Sequence, residues 1–200
     1  VGLPLAFYRA QKEALRSRLQ ALSAWVSVDG GEERYISFRR VVVVPQGAGV
    51  IFAARDGLPP HGFAGVVDVG QYTTDYILVD LARGKPVLDA CGSLELGCHL
   101  VQKALARAFQ EATGEPLPAR MEGYVLELVR GGRTVPYRGR ELDLGPAFRD
   151  AVRETAAAIA RQVSAAWADW SKFLAATYLA GGGALLLGDA LRKGFRGAVV

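Results

Sequence analysis

The stretch that most constrains this chain is Gly65-Val66-Val67-Asp68-Val69-Gly70-Gln71-Tyr72-Thr73-Thr74-Asp75-Tyr76-Ile77-Leu78-Val79-Asp80. Val66, Val67 and Val69 form one β-branched arm and Tyr76 to Val79 the other, so the segment predicts two strands joined by a tight turn. The turn carries a carboxylate, a glycine, two hydroxyls and a second carboxylate. A turn of this kind can aim successive backbone N–H groups into one concavity, which suits a phosphate. Asp68, at the end of a buried strand, can hold a divalent cation, which in the case of magnesium is held through water. Gly70 allows close backbone approach or a positive φ, and Thr73 can donate its hydroxyl to a phosphate oxygen. The Asp-x-Gly core by itself also fits an ordinary hairpin with a polar tip.

The remainder of the chain alternates helical and strand patterns, which predicts an α/β architecture. Half of the 200 residues are apolar and 22% are charged, with a net charge of +4 spread along the chain. That composition excludes a disordered chain and neither requires nor excludes nucleic acid. Cys91 and Cys98 lie seven residues apart with no Cys-x-x-Cys pair, and His61 and His99 occupy different contexts, which argues against a zinc site. No apolar run of eighteen residues occurs, so the expected location is the cytoplasm and no membrane partner is expected. The first residues, Val1-Gly2-Leu3, read as the end of a strand and Ala198-Val199-Val200 as the start of one, so the chain is expected to be a piece of a longer protein.

Apolar spacing predicts a helix over about 7–22. A hairpin follows between Trp25-Val26-Ser27-Val28 and Tyr35-Ile36-Ser37-Phe38, and the run Val41 to Val44 suits a strand buried on both faces. A short helix follows Pro45-Gln46-Gly47. Pro86-Val87-Leu88 predicts a third strand after the hairpin. Ser93 is suited to N-cap a helix from Leu94 to Ala112. Further helices are expected over 118–130 and 146–170, with short strands over 133–137 and 141–144 between them. Ile159 is placed on the core face of the long helix, and Trp167 and Trp170 in packing. A strand over 173–179 then enters Gly181-Gly182-Gly183-Ala184, which opens a last helix. Bare backbone at that turn can lie flat against a nucleoside, or can be a glycine turn with no ligand.

In this order the motifs resemble the actin, sugar-kinase and heat-shock-chaperone superfamily. Residues 66–75 resemble its second phosphate motif, and Leu179 to Ala184 its adenosine motif. Val1-Gly2-Leu3-Pro4-Leu5, Val43-Val44-Pro45-Gln46-Gly47-Ala48-Gly49, Thr73-Thr74-Asp75-Tyr76 and Ser93-Leu94-Glu95-Leu96-Gly97 are most similar to the plasmid-segregation actin-like ATPases of the ParM/StbA type. The resemblance implies an actin-like (ribonuclease H-like) mixed sheet flanked by helices, with a small inserted α+β subdomain. Residues 1–62 would be the C-terminal part of a first actin-like subdomain. Residues 63–200 would be the second half, with the small subdomain at about 115–145.

By the same resemblance the cofactors are ATP or ADP with Mg2+. Gln46 would orient the attacking water, Asp68 would hold the magnesium through water, and Asp75 would lie near the metal. Gly70, Gln71, Tyr72 and Thr73 would cradle phosphate, and Gly181, Gly182, Gly183 and Ala184 would take the adenosine. The implied function is that of an ATP-binding filament protein that polymerises with nucleotide for plasmid or DNA segregation. Its partners would be further copies of itself and a DNA-binding adaptor on a plasmid centromere, with no direct nucleic-acid contact. The superfamily's other Asp-x-Gly hairpin has no counterpart before residue 65, so these residues alone are expected to hydrolyse ATP poorly. A small-molecule kinase and a non-hydrolysing cell-division scaffold remain alternatives, separated by phosphorylation of a metabolite and by absence of turnover.

Overall fold

The computed structural model describes residues 1–195 and 198–199. Strand β1 (Gly2–Leu3) precedes helix α1 (Leu5–Gln20), which starts directly after Pro4. Strands β2 (Ser23–Val26) and β3 (Arg34–Ser37) form the expected hairpin, with Trp25 opposite Tyr35 and their rings 5.4 Å apart. All eight of its strand residues are exposed. The β-branched run then departs from expectation. Only Val44 enters a strand, β4 (Val44–Pro45), which pairs in parallel with β1, and Val42 is 54% exposed. The run has the propensity for a buried strand, but only two residues of β1 lie beside it, and strand formation follows its neighbours. Helix α2 (Ala48–Ala53) follows Gly47, whose φ of 85° lies in the left-handed region.

The phosphate-type hairpin is β5 (Phe63–Val69) and β6 (Thr74–Asp80), paired antiparallel from Phe63↔Asp80 to Val69↔Thr74. The expected third strand shrinks to β7 (Lys85–Pro86) and a short 3-10 turn, Leu88–Ala90. Ser93 caps no helix: it lies in β8 (Gly92–Leu94) opposite Asp75. Helix α3 (His99–Thr113) begins five residues later than expected. The reason is tertiary: Thr74 donates its hydroxyl to Leu96 O at 2.7 Å, which holds 94–97 against β6 before a helix can start. Helix α4 (Ala119–Arg130), strands β9 (Val135–Tyr137) and β10 (Arg140–Leu142), helix α5 (Gly145–Ala166), strand β11 (Leu174–Ala180) and helix α6 (Ala184–Arg192) follow as expected. Strand β12 (Ala198–Val199) pairs with β11.

The main sheet runs β12-β11-β5-β6-β7, with β8 also on β6. Its first three strands are parallel and the rest antiparallel, so the sheet is mixed. Side chains alternate between its faces. Gly65, Val67 and Val69 point to the face covered by α3, α5 and α6, where Ile159, Val163, Trp167, Leu187 and Leu191 are buried with Val67 and Val69. Ala64 and Val66 point to the other face, beside Val79, Ile77 and Ile51 of α2. Cross-strand partners share a face, so Asp68 and Asp75 continue that second row beyond Val66 and Ile77. The carboxylates therefore stand where the apolar cover of α2 ends. A separate small core joins Leu105 and Phe109 of α3 to Val125 and Val129 of α4, Val135 of β9 and Leu144.

Gly65 is a demanding position on the first face. A Cβ there would lie 2.5 Å from Trp167 Cη2. Trp167 cannot swing aside, because it is 1% exposed and its Nε1 donates to Ala90 O at 2.8 Å. Gly65→Ala is expected to lower stability by about 1–3 kcal/mol through overpacking, measured by urea denaturation. An unchanged midpoint would show that the indole has room to move.

Candidate functional site

The loop between β5 and β6 is closed by Gly70 N–H donating to Thr73 O at 2.8 Å, which leaves Gln71 and Tyr72 at its tip. Cys98 N–H donates to Gly70 O at 3.2 Å, and His99 N–H to Gln71 O at 2.9 Å. Both carbonyls thus point at the first turn of α3. In a trans peptide the C=O and the next N–H point in opposite directions. The amides of Gln71 and Tyr72 are therefore turned away from α3, and neither donates to a protein acceptor among the described residues. Two adjacent free N–H groups aimed to one side are what an anion needs. Gly70 serves through space rather than a positive φ: its Cβ position is 3.0 Å from Thr73 O. Thr73 is exposed at the tip.

Asp68 lies one step back, at the end of the sheet. Gly181 has a φ of 82°, and a Cβ on it would lie 2.3 Å from Asp68 Oδ1 and 2.4 Å from Val69 O. On the other side Gly47 places its Cβ position 3.6 Å from Asp68 Oδ2. The carboxylate is therefore flanked by two left-handed glycines from segments far apart in sequence. Burial, and then the negative charge of Asp75, push the Asp68 carboxyl above its ordinary range. Neither Asp68 nor Asp75 makes an ion pair among the described residues. Ionising Asp68 is therefore costly, because it is half-buried beside a second carboxylate with no cationic side chain to offset the charge. A divalent cation removes that cost.

The glycines of the second turn divide their work. Gly183 N–H donates to Val69 O at 2.8 Å, and a Cβ there would strike Val69 Cγ1 and Cys98 Sγ at 2.5 and 2.8 Å. Gly181 and Gly183 thus let the turn sit on the end of β5. Gly182 meets nothing within 4 Å and faces the open side. Ala184 is the first, buried residue of α6. The turn reaches the hairpin because β11 lies parallel to β5, with Ala180 opposite Asp68.

Gln46 is less closely integrated. Its N–H donates to Leu3 O at 2.7 Å, and its side chain is exposed and lies against Gly2. Its neighbour Gly47, rather than Gln46 itself, touches Asp68. The structure also adds residues to which the motifs assigned no role at the site: Gly47, Gly97, His99 and Gln102. The left-handed turn at Gly47 had a signal in Gln46-Gly47-Ala48-Gly49. The other three meet the hairpin tip, 26 to 31 positions earlier, a contact that no local pattern announces. A concavity of about 700 Å³ lies elsewhere, between α1, α2 and the β6–β7 end, with Pro45, Ile51, Phe52, Leu58, Ile77 and Val79 among its lining. It is apolar, and none of the candidate site residues lines it. Among the described residues no cluster of three His, Cys, Asp or Glu side chains forms a metal cage. Two carboxylates with room for water suit magnesium better than zinc.

Known proteins share this fold. The "Archaeal actin homolog" of Thermoplasma acidophilum is 29% identical over 120 residues, 58% of this chain and 37% of that protein. A crystal structure of an archaeal actin homolog superposes with a TM-score of 0.85 at 23% identity, covering 100% of this chain and 62% of that one. A crystal structure of an archaeal actin homolog in complex with ADP gives 0.81 at 24% identity, over 100% and 64%. A 15-stranded ParM filament from Clostridium botulinum gives 0.78 at 24% identity, over 99% and 60%. The fold is actin-like, and the chain spans less than two thirds of the length of these relatives. Residues 1–49 match the model for the N-terminal domain of actin-like proteins. Residues 66–193 match the C-terminal model of the archaeal actin homologue MreB-like family, and to that family the chain belongs.

Proposed function

We propose that this chain carries the nucleotide-binding half of a filament-forming actin-like ATPase that takes ATP or ADP with Mg2+. The observation that carries the reading is the Asp68 carboxylate, held between Gly181 and Gly47, facing Asp75 and with no ion-pair partner among the described residues. The free amides of Gln71 and Tyr72 would bind phosphate. Gly182 would present bare backbone to the nucleoside, with Ala184 opening the helix behind it. Magnesium, held by Asp68 through water with Asp75 nearby, would neutralise the phosphate charge and so favour phosphoryl transfer. Gln46, exposed beside Gly47, would orient the attacking water once the nucleotide is in place. The ADP complex of an archaeal actin homolog supports the cofactor, and the ParM filament supports self-association. Residues 1–62 would belong to one actin-like half and 63–200 to the other, with the inserted subdomain at about 115–145, packed on Leu105 and Phe109 of α3.

In the cell such a filament would act in the cytoplasm to separate plasmid or other DNA copies through a DNA-binding adaptor. Among the described residues no helix is long and apolar enough to cross a membrane. The test is sedimentation of the intact protein with nucleotide and magnesium. Polymer should pellet with ATP and not with ADP. Failure to pellet under any nucleotide would remove the filament reading, while retained ADP binding would leave the site reading intact.

A further inference from the structure

The first turn of α3 receives the two carbonyls of the hairpin tip and so sets where the tip amides point. Five contacts do this. Cys98 N–H and His99 N–H bond to Gly70 O and Gln71 O. His99 Nδ1 lies 3.1 Å from Gln71 O. The Gln71 side-chain amide donates to Gln102 Oε1, one turn further along the helix. The rings of Tyr72 and His99 are 5.4 Å apart. Gly97 is buried beneath, and a Cβ on it would lie 2.6 Å from Gln71 O and 2.9 Å from Gly70 O, both backbone atoms that cannot rotate away.

From this geometry we infer that Gly97, His99 and Gln102 are positioning residues for the phosphate, acting through Gln71 rather than on the ligand. The inference rests on the phosphate-binding reading of the tip. It also assigns the Gln71 side chain: it tethers the tip to α3 and is not a phosphate ligand. The positive end of the α3 dipole is taken up by peptide carbonyls, so that end is not the anion site. Both carbonyls and the Gln71 side chain are held by α3, so the opposed N–H groups stay on one side before nucleotide arrives. Such pre-organisation raises affinity by removing an ordering cost.

The test compares ADP, in the presence of magnesium, with adenosine by calorimetry on the intact protein. Gln102→Ala is expected to weaken ADP binding about fivefold, the loss of one exposed hydrogen bond, and to leave adenosine binding unchanged. Gln71→Ala should do the same, and the double variant should be no weaker than either single, because one contact is being removed twice. Gly97→Ala should weaken ADP binding more, since it displaces the tip backbone. Equal loss for ADP and adenosine, additive loss in the double variant, or unchanged ADP binding in Gln102→Ala would each overturn the positioning role. If the unmodified protein binds adenosine but gains nothing from the phosphates of ADP, the phosphate reading of the tip fails, and the role of α3 fails with it. Absence of binding to both ligands removes the nucleotide reading as a whole.

Discussion

Asp68→Asn is expected to move two properties in opposite directions. In the protein without nucleotide or magnesium it should raise thermal stability at neutral pH. The Asp68 carboxyl is held above its ordinary range by burial and by Asp75. A carboxyl whose folded pKa exceeds its unfolded value opposes folding when ionised, so its cost is present above the folded pKa and fades as pH falls towards the unfolded value. The amide removes the charge and with it that pH dependence. The variant should then gain little from nucleotide and magnesium. The unmodified protein at a ligand concentration a hundred times its Kd should gain about 2.7 kcal/mol, and Asp68→Asn should lose nearly all of it. Differential scanning fluorimetry with and without Mg2+ and ADP reads both effects. A variant that is less stable without ligand, or equally stabilised by magnesium and ADP, would show that the carboxylate is structural and not the metal's partner.

Ile159→Asp should abolish the fold. Ile159 is fully buried on α5, in the core shared with Val67, Val163 and Leu187. Truncating a buried Ile costs about 2–5 kcal/mol. An unpaired carboxylate in the same place adds several more or is forced to protonate. That sum reaches the whole stability of an ordinary domain, about 5–15 kcal/mol. The variant should show no cooperative melting transition by circular dichroism, whereas Ile159→Val should melt cooperatively with a loss of about 1 kcal/mol. A soluble, cooperatively melting Asp variant would place Ile159 away from the core.

These two positions were readable because their signals are local. The β-branched arms around Asp68 and the apolar spacing of α5 report the face each residue takes. The misread elements are those whose neighbours decide. Val41 to Val43 have strand propensity but lie outside β4, although Val42 O accepts from the amino group of Val1. Ser93 has the chemistry of a helix cap, but it is drawn into β8 because β6 offers an open edge opposite Asp75. The glycine turn could be read as a motif. Its division of labour could not, because that depends on Val69 and Cys98 beneath Gly183. The clamp from α3 was invisible for a related reason. It acts largely on the backbone carbonyls of Gly70 and Gln71, a group that every residue has, and its side-chain partners lie 27 to 31 positions away.

The parallel pairing of β11 with β5 also has a consequence in time. Gly65 and Thr177 are register partners, 177 − 65 = 112 positions apart. The hairpin can close as soon as Asp80 is made, since its partners are near neighbours in the chain. The glycine turn cannot reach Asp68 until β11 has been synthesised, roughly 5–20 s later at ~5–20 residues per second. During that interval the β11-facing edge of β5 has no strand beside it, and unpaired edges invite association with other chains. A growing chain is thus most prone to mispairing between the making of its phosphate hairpin and the making of its glycine turn. Rare codons placed in that window should lower soluble yield more than the same codons placed after Ala180.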